Sequence, residues 1–530
     1  MALFGKYFLA GGALVVAASA LHAQTPAKPS TCDIGDVLKG NAARAVLAFN
    51  GAQQATGTPI AATNLKNVVK LVEFPEKSGD EPVARAYVLG EALSLWLNQP
   101  GISATAKRGA LGFTANPDAT IDLVSTLDSA FRIVEAAKPN CSDNTAYYRG
   151  GHKYYLDVAN GAINALNADK LDSAEYYATQ ANRLFPRSPY GIMVLGSVAS
   201  KRNDTAKAVE YWTRAAEVAG RDTSYRDVRR QMLANTGSVH LNKAQAASGA
   251  ERVASARLAA NTYAELIAVP ATKGSYLYIG RQNYQTALLL AGDTAAFVKS
   301  YEGLLANPSA YEYQDLLNSA VNAARSNRSA DAAKLFEGTL SQNPWNRDAL
   351  FNLAVTYLSL DQHDKVAPIV TRLVAVDPGN PENYNLGARA YLSLGKAART
   401  AKKMTVAAAY NDSTLTWYTK GSKLPIEVSF TEFSPTEAQL VIGGTVLDRR
   451  DKVDAETAAA RPVRGKAPAK AAKSMPPKSV TLRFEALDRS GTSIGSESVT
   501  TEALAPGKTA KFTVKIAAPN AVGYRYSIVE

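Results

Sequence analysis

Cysteine and histidine are scarce in this 530-residue chain, two and four respectively, and that scarcity removes most metal and nucleophile chemistry. Neither Cys32 nor Cys141 has a neighbour at metal-ligand spacing, and His152, His240 and His363 stand singly. Gly491 to Gly495 reads GTSIG, which matches the nucleophile-elbow pattern, but that chemistry needs a strand–turn–helix and a histidine base. Here the flanking residues alternate as strands, so Ser493 reads as a surface serine between turn glycines. Gly395-Lys396 lacks the upstream glycine of a phosphate-binding loop. The reading is a chain with no catalytic residues, no metal ligands and no cofactor, hence not an enzyme.

Long apolar runs are also missing. Only Tyr7 to Ala20 is continuous, broken by Ser19 alone, and it falls short of the roughly 20 residues a bilayer-spanning helix needs. Lys6 before it, the small residues Ala18, Ala20 and Ala23 after it, and then QTPAKPS have the order of a secretory signal peptide over 1–23. Export makes Cys32 and Cys141 a candidate disulfide, with two unpaired thiols as the alternative. The net charge of +12 is unevenly spread. Residues 449–478 hold nine basic side chains against Asp451, Asp454 and Glu456, which is 9 − 3 = +6, half of the total.

What the chain has in abundance is repetition. AVTYLSL at 354–360 returns as ARAYLSL at 388–394, and Pro344 and Pro378 share the same offset of 34 residues. Within 155–188, 189–222, 313–346 and 347–380, small residues (Gly161-Ala162, Ala174, Gly196, Ala208, Ala320, Ala332, Ala354) alternate with large ones (Trp212, Phe336, Leu350, Tyr357) at helical spacing. Asp172, Asp204 and Ser329 stand where second helices should begin. A helix–turn–helix period of 34 resembles the tetratricopeptide repeat family. The resemblance implies stacked helix pairs over 146–410 that bind proteins through a concave groove. Residues 24–145 read as further helices (41–55, 64–72, 82–97 with a stripe of Tyr87, Leu89, Leu93 and Trp96, and 118–137), with 411–424 as a linker.

After residue 425 the period changes to two. Ile426, Val428, Phe430; Val480, Leu482, Phe484, Ala486; Phe512, Val514, Ile516; and Tyr524, Tyr526, Ile528 alternate with polar residues, as half-buried strands do. The fold class expected is therefore multidomain: an all-α tetratricopeptide-like solenoid followed by a small antiparallel β-sandwich, 425–530. FEALD at 484–488, with Gly491, Gly495 and Leu504-Ala-Pro506-Gly507, resembles the bacterial FxLYD-type immunoglobulin-like domain, with Leu487 in place of the motif tyrosine. The Ala/Lys/Pro-rich stretch 451–478 reads as a disordered insert between two strands.

These readings imply a non-catalytic scaffold or adaptor of the bacterial cell envelope, periplasmic or outer-membrane associated, with envelope or secreted proteins as partners. By the family resemblance, the groove would be lined from the first helices by Gln314, Leu317, Val321, Arg325, Phe351, Val355, Asn385 and Arg389. A second reading stays open. In it, the β-domain and the six cations of 461–478 contact an anionic lipid or cell-wall polymer and the repeats serve as a spacer. No aromatic residue interleaves those cations for base stacking, so no nucleic acid is expected.

Overall fold

The computed structural model describes residues 32, 34–75, 81–150, 153–270, 272, 274–436, 438–453 and 475–529. The signal segment 1–23, His152, and 454–474 of the basic insert lie outside the described residues. The molecule divides into two compact units, one ending at Thr272 and one beginning after it.

In the first unit, Gly40–Gln54 packs beside Pro59–Val72. Thr58 starts the second of these, its hydroxyl accepting from Ala61 N–H, and Pro59 occupies the position where a helix needs no N–H. Both flank Pro82–Leu97, which also meets Leu123–Ala137 and Ser142–Gly150. Enclosed on so many sides, this helix does not bury the single stripe expected of it. Leu89 is only half-buried, while Glu91 and Ser94 lie inside. Burial pushes the Glu91 carboxyl, 4% exposed, up to about 7, although the hydroxyls of Tyr87 and Tyr148 hydrogen-bond to it. A hairpin of β1 (Thr105–Lys107) and β2 (Thr120–Asp122) interrupts the helices. The Glu73 carboxylate holds the loop between them by accepting from Arg108, the N–H groups of Thr114 and Ala115, and the Thr114 hydroxyl. Cys32 and Cys141 are joined as a disulfide, 109 positions apart in the chain, with Cα atoms 4.6 Å apart.

From residue 153 the helices come in antiparallel pairs. Lys153–Asn167 pairs with Leu171–Leu184, Tyr190–Lys201 with Thr205–Ala219, and the longer Arg226–Ala246 with Gly249–Ala268. Close approach explains the small residues. A Cβ on Gly196 would lie 2.5 Å from the Trp212 ring, so the indole packs directly on helix backbone. Asp204 caps its helix by accepting from Lys207 N–H. Asp172 does not cap, contrary to expectation, because the helix begins at Leu171 with Lys170 at the cap position; it and Glu175 instead bind the Arg202 guanidinium.

The second unit opens with Ser275–Ala291 and the short helices Thr294–Lys299 and Glu302–Ala306. Three pairs follow: Tyr313–Arg325 with Ser329–Gln342, Arg347–Ser359 with Val366–Val376, and Pro381–Thr400 with Met404–Ser422. Ser329 is the first helical residue and not a cap. In four of the pairs across both units, the turn between the helices passes through a left-handed Asn or Asp (Asp169, Asn203, Asn327, Asp361), residue types that tolerate positive φ. The stretch expected as a linker, 411–424, is helical through Ser422. Trp417 lies against Gly387, where a Cβ would come within 2.8 Å of the ring, so this helix belongs to the array.

Among the described residues six strands complete the second unit: β3 (Ile426–Pro435), β4 (Leu440–Asp448), β5 (Thr481–Leu487), β6 (Ser493–Thr500), β7 (Thr509–Ile516) and β8 (Gly523–Val529). They form two three-stranded antiparallel sheets, ordered β3-β4-β7 and β6-β5-β8. The inward residues of both sheets share one core, with Phe430, Phe484, Phe512, Tyr524 and Tyr526 stacked at its centre. Ser493 begins an exposed edge strand, as the strand reading of GTSIG implied. At the C-terminal end of the insert, Lys478 N–H donates to Leu504 O at 2.9 Å.

Candidate functional site: the first-helix face and the loop edge

The helices Tyr313–Arg325, Arg347–Ser359 and Pro381–Thr400 start 34 residues apart, so equal offsets are equivalent positions, and each first helix touches the next. The fifth positions are Leu317, Phe351 and Asn385, and the ninth are Val321, Val355 and Arg389. These six residues form two rows across the array, apolar on two helices and polar on the third. All are half-buried except Arg389, which is exposed, as is Arg325; Gln314 is half-buried. The adjoining faces carry the core: Leu316, Ala320, Leu350, Leu353, Ala354 and Leu386 are buried. Among the described residues Arg325 and Arg389 make no hydrogen bond or ion pair, whereas Asn385 Nδ2 donates to Glu382 Oε2 at 3.2 Å. The face thus offers an apolar strip leading to an unspent guanidinium.

On the other side of Tyr313–Arg325, where it meets Ser275–Ala291, a polar seam runs at the same 34-residue offset. Arg281 Nη1 donates to Asp315 Oδ2 at 2.6 Å, and Gln285 Nε2 donates to Ser319 Oγ at 2.9 Å. Asn322 Nδ2 adds a bond to Gln285 Oε1. Burial pushes the Asp315 carboxyl up against the pull of Arg281. Sequence reasoning missed this seam, though the signal was present in the paired offsets 281/315 and 285/319.

The other edge of the array, made of the loops between repeats, holds the sandwich. Asn343, just before Pro344, donates from Nδ2 to Val522 O at 3.0 Å, and Tyr313 Oη donates to the same oxygen. One repeat later, Asp377 Oδ1 accepts from Tyr526 Oη at 2.7 Å, and that hydroxyl accepts from Gly379 N–H at 2.9 Å. Val428 N–H donates to Gly379 O at 2.9 Å. Gly379 has no room for a side chain: a Cβ would lie 2.8 Å from both the Tyr526 hydroxyl and Val428 Cγ2. Burial and the Asp377 carboxylate drive the Tyr526 hydroxyl far above its ordinary range, so it stays a donor. The Arg347 guanidinium sits 5.0 Å over the Phe430 ring, and Arg489 pairs with Glu312 at 2.7 Å. An open hollow on the sandwich is lined by Asp488, Arg489, Ser490, Asn520, Ala521 and Val522. Its carboxylate is spent on the turn, accepting from the N–H groups of Ser490 and Thr492. Among the described residues no cluster has the makings of a metal site, and no helix is long and apolar enough to cross a membrane.

An all-α array of stacked helix pairs with a small antiparallel β-domain seated on its loops defines a helical-repeat protein. Residues 323–390, which run from the end of Tyr313–Arg325 through the next repeat to the middle of Pro381–Thr400, match the family model described as tetratricopeptide repeat. A search of curated proteins returns no match. Among solved structures the chain is similar to a tetratricopeptide repeat protein from Parabacteroides merdae, at 12% identity over 50% of this chain and 98% of that one, TM-score 0.28. It is similar also to the assembly chaperone of RpL4 (Acl4, residues 1–338), at 14% identity over 47% of this chain and 99% of that one, TM-score 0.20.

Proposed function

We propose that this chain is a non-catalytic scaffold that holds another protein along the first-helix face, with an apolar segment over Leu317, Val321, Phe351 and Val355 and a carboxylate at Arg389. The observation that carries the reading is the pair of phased rows, half-exposed and apolar, ending at a cation with no partner among the described residues. Water held against such apolar surface is released on binding, and many modest contacts along a solenoid add to useful affinity. The sandwich supports this use, because it occupies the loop edge and leaves the first-helix face open. With the secretory order of residues 1–23, the partner is an envelope or secreted protein.

The test is a crosslinked pull-down from envelope extract with the wild type, Phe351→Glu and Arg389→Glu. A partner recovered by the wild type and lost by both variants, which should fold because the positions are not core, is the expected result. Equal recovery by all three refutes the face as the binding site.

A further inference from the structure

The last helix pair of the array reaches further than the pairs before it. Pro381–Thr400 starts 34 residues after Arg347–Ser359, in phase with it, but runs for 20 residues instead of 13. The seven extra residues carry it about 10 Å past the turn of the preceding pair. Met404–Ser422 returns over the same added length: Gly387 receives the Trp417 ring 30 positions on, where Gly196 receives Trp212 16 positions on. The prong so formed is basic throughout. No acidic residue occurs from Asn383 to Asn411, while Arg389, Lys396, Arg399, Lys402 and Lys403 do. The last four are exposed, and among the described residues their side chains make no hydrogen bond or ion pair. The other long pair, Arg226–Ala246 with Gly249–Ala268, differs in this: near its turn Lys243 pairs with Glu251 at 3.3 Å.

Helix stability does not account for these cations. Lys396 and Arg399 suit the C-terminal end of a helix, but Lys403 stands just before Met404, where a positive charge opposes the helix dipole and caps nothing. Lys402 has φ 59°, at the turn position that Asp169, Asn203, Asn327 and Asp361 fill in the other pairs. Asn and Asp tolerate that conformation better than lysine does. The turn therefore holds two cations against local preference. Beside them Met404 and Val406 are 63% and 43% exposed.

We propose that this prong seats on an anionic lipid bilayer. Charge and shape select the occupant. Lys396, Arg399, Lys402 and Lys403 complement a surface dense in phosphate, and a projecting tip fits a flat, yielding surface, whereas a peptide is gripped in a concave one. Met404 and Val406 match the apolar layer just beneath the headgroups, which the cations reach on long apolar stems. A dissolved polyanion would satisfy the cations and leave both apolar side chains in water. Pro381–Thr400 is about 30 Å long and starts beside the Gly379 loop that holds the sandwich, so the tip lies at the far end from it. This contact is separate from the protein-binding face and does not depend on a partner there.

The test sediments the chain lacking residues 1–23 with vesicles of phosphatidylcholine alone and with about 30% phosphatidylglycerol added. Binding to the anionic vesicles only, lost as salt rises to about 0.5 M, is the expected result. Each cation near such a surface is worth about fivefold in partitioning, so Lys402→Gln/Lys403→Gln should lower it about thirtyfold. The stretch 461–478 is basic too, so the tip needs its own readout: the fluorescence that Met404→Trp adds should shift to the blue on anionic vesicles. No binding to anionic vesicles overturns the proposal. So does binding without that blue shift, or binding indifferent to the double substitution, since the lipid contact would then lie elsewhere. Binding that Met404→Ser/Val406→Ser leaves unchanged and soluble polyphosphate fully displaces makes the ligand a dissolved polyanion, which overturns it as well.

Discussion

Replacing Glu91 by glutamine should stabilise the first unit, and only above mildly acidic pH. The carboxyl has an ordinary pKa of 4.5 in the unfolded chain and is raised to about 7 where Pro82–Leu97 is enclosed. Below 4.5 both states hold the proton and the residue has no effect on stability. Between 4.5 and 7 the unfolded chain ionises while the folded one resists, so stability falls as pH rises; above 7 the loss is constant. At 1.36 kcal/mol per pH unit, that loss is roughly 3 kcal/mol. Glutamine never ionises and keeps an oxygen to accept from Tyr87 or Tyr148, but its amide needs an acceptor, which costs about 1 kcal/mol or more. The net expectation at pH 8 is a gain of about 1–2 kcal/mol, with no gain at pH 4.5. Urea titrations of both proteins from pH 4.5 to 8.5 give the difference. Trp96, on the same helix, serves as a fluorescent reporter. If the two proteins show parallel stability profiles, Glu91 is not held protonated and the argument fails.

Tyr526→Phe removes the hydroxyl between Gly379 N–H and Asp377 and leaves two buried polar groups unpaired, so chemical denaturation of the second unit should show a loss of about 2–4 kcal/mol. Reducing the Cys32–Cys141 bond releases a loop of 109 positions and should lower stability by up to roughly 4–5 kcal/mol, read as a drop in melting temperature with reductant that Cys32→Ser reproduces without it.

The repeats were legible because close helix crossings demand small residues at fixed offsets, and Gly196 against Trp212 records that demand in plain letters. The strands were legible by alternation, and Tyr524 and Tyr526 are buried as the pattern required. Alternation could not say what buries them: Tyr526 is covered partly by a helix–helix loop nearly 150 residues away in the chain. Pro344 and Pro378 were read as helix stops, and they are; the residues that hold the sandwich, Asn343 and Asp377, stand immediately before them and carry no local signature of that use. The stretch 411–422 read as a linker because an end helix with one neighbour needs few apolar residues, so its periodicity is weak. Pro82–Leu97 misled in the opposite way, since a helix covered all round shows no stripe. Of the candidate face, the repeat offset placed the residues on common rows, but the free state of Arg389 and the seam through Asp315 belong to contacts between helices.

The seat of the sandwich makes two unlike rulers agree. Val522 and Tyr526 are four residues apart, about 13 Å along an extended strand, and they reach loops that lie one full repeat apart. Most solenoids can gain or lose a repeat by duplication or deletion, because each repeat answers only to its neighbours. Here that freedom ends at residue 343. A repeat inserted between Asn343 and Asp377 would carry one loop out of reach of a strand that cannot stretch, so over this interval the array is a fixed count.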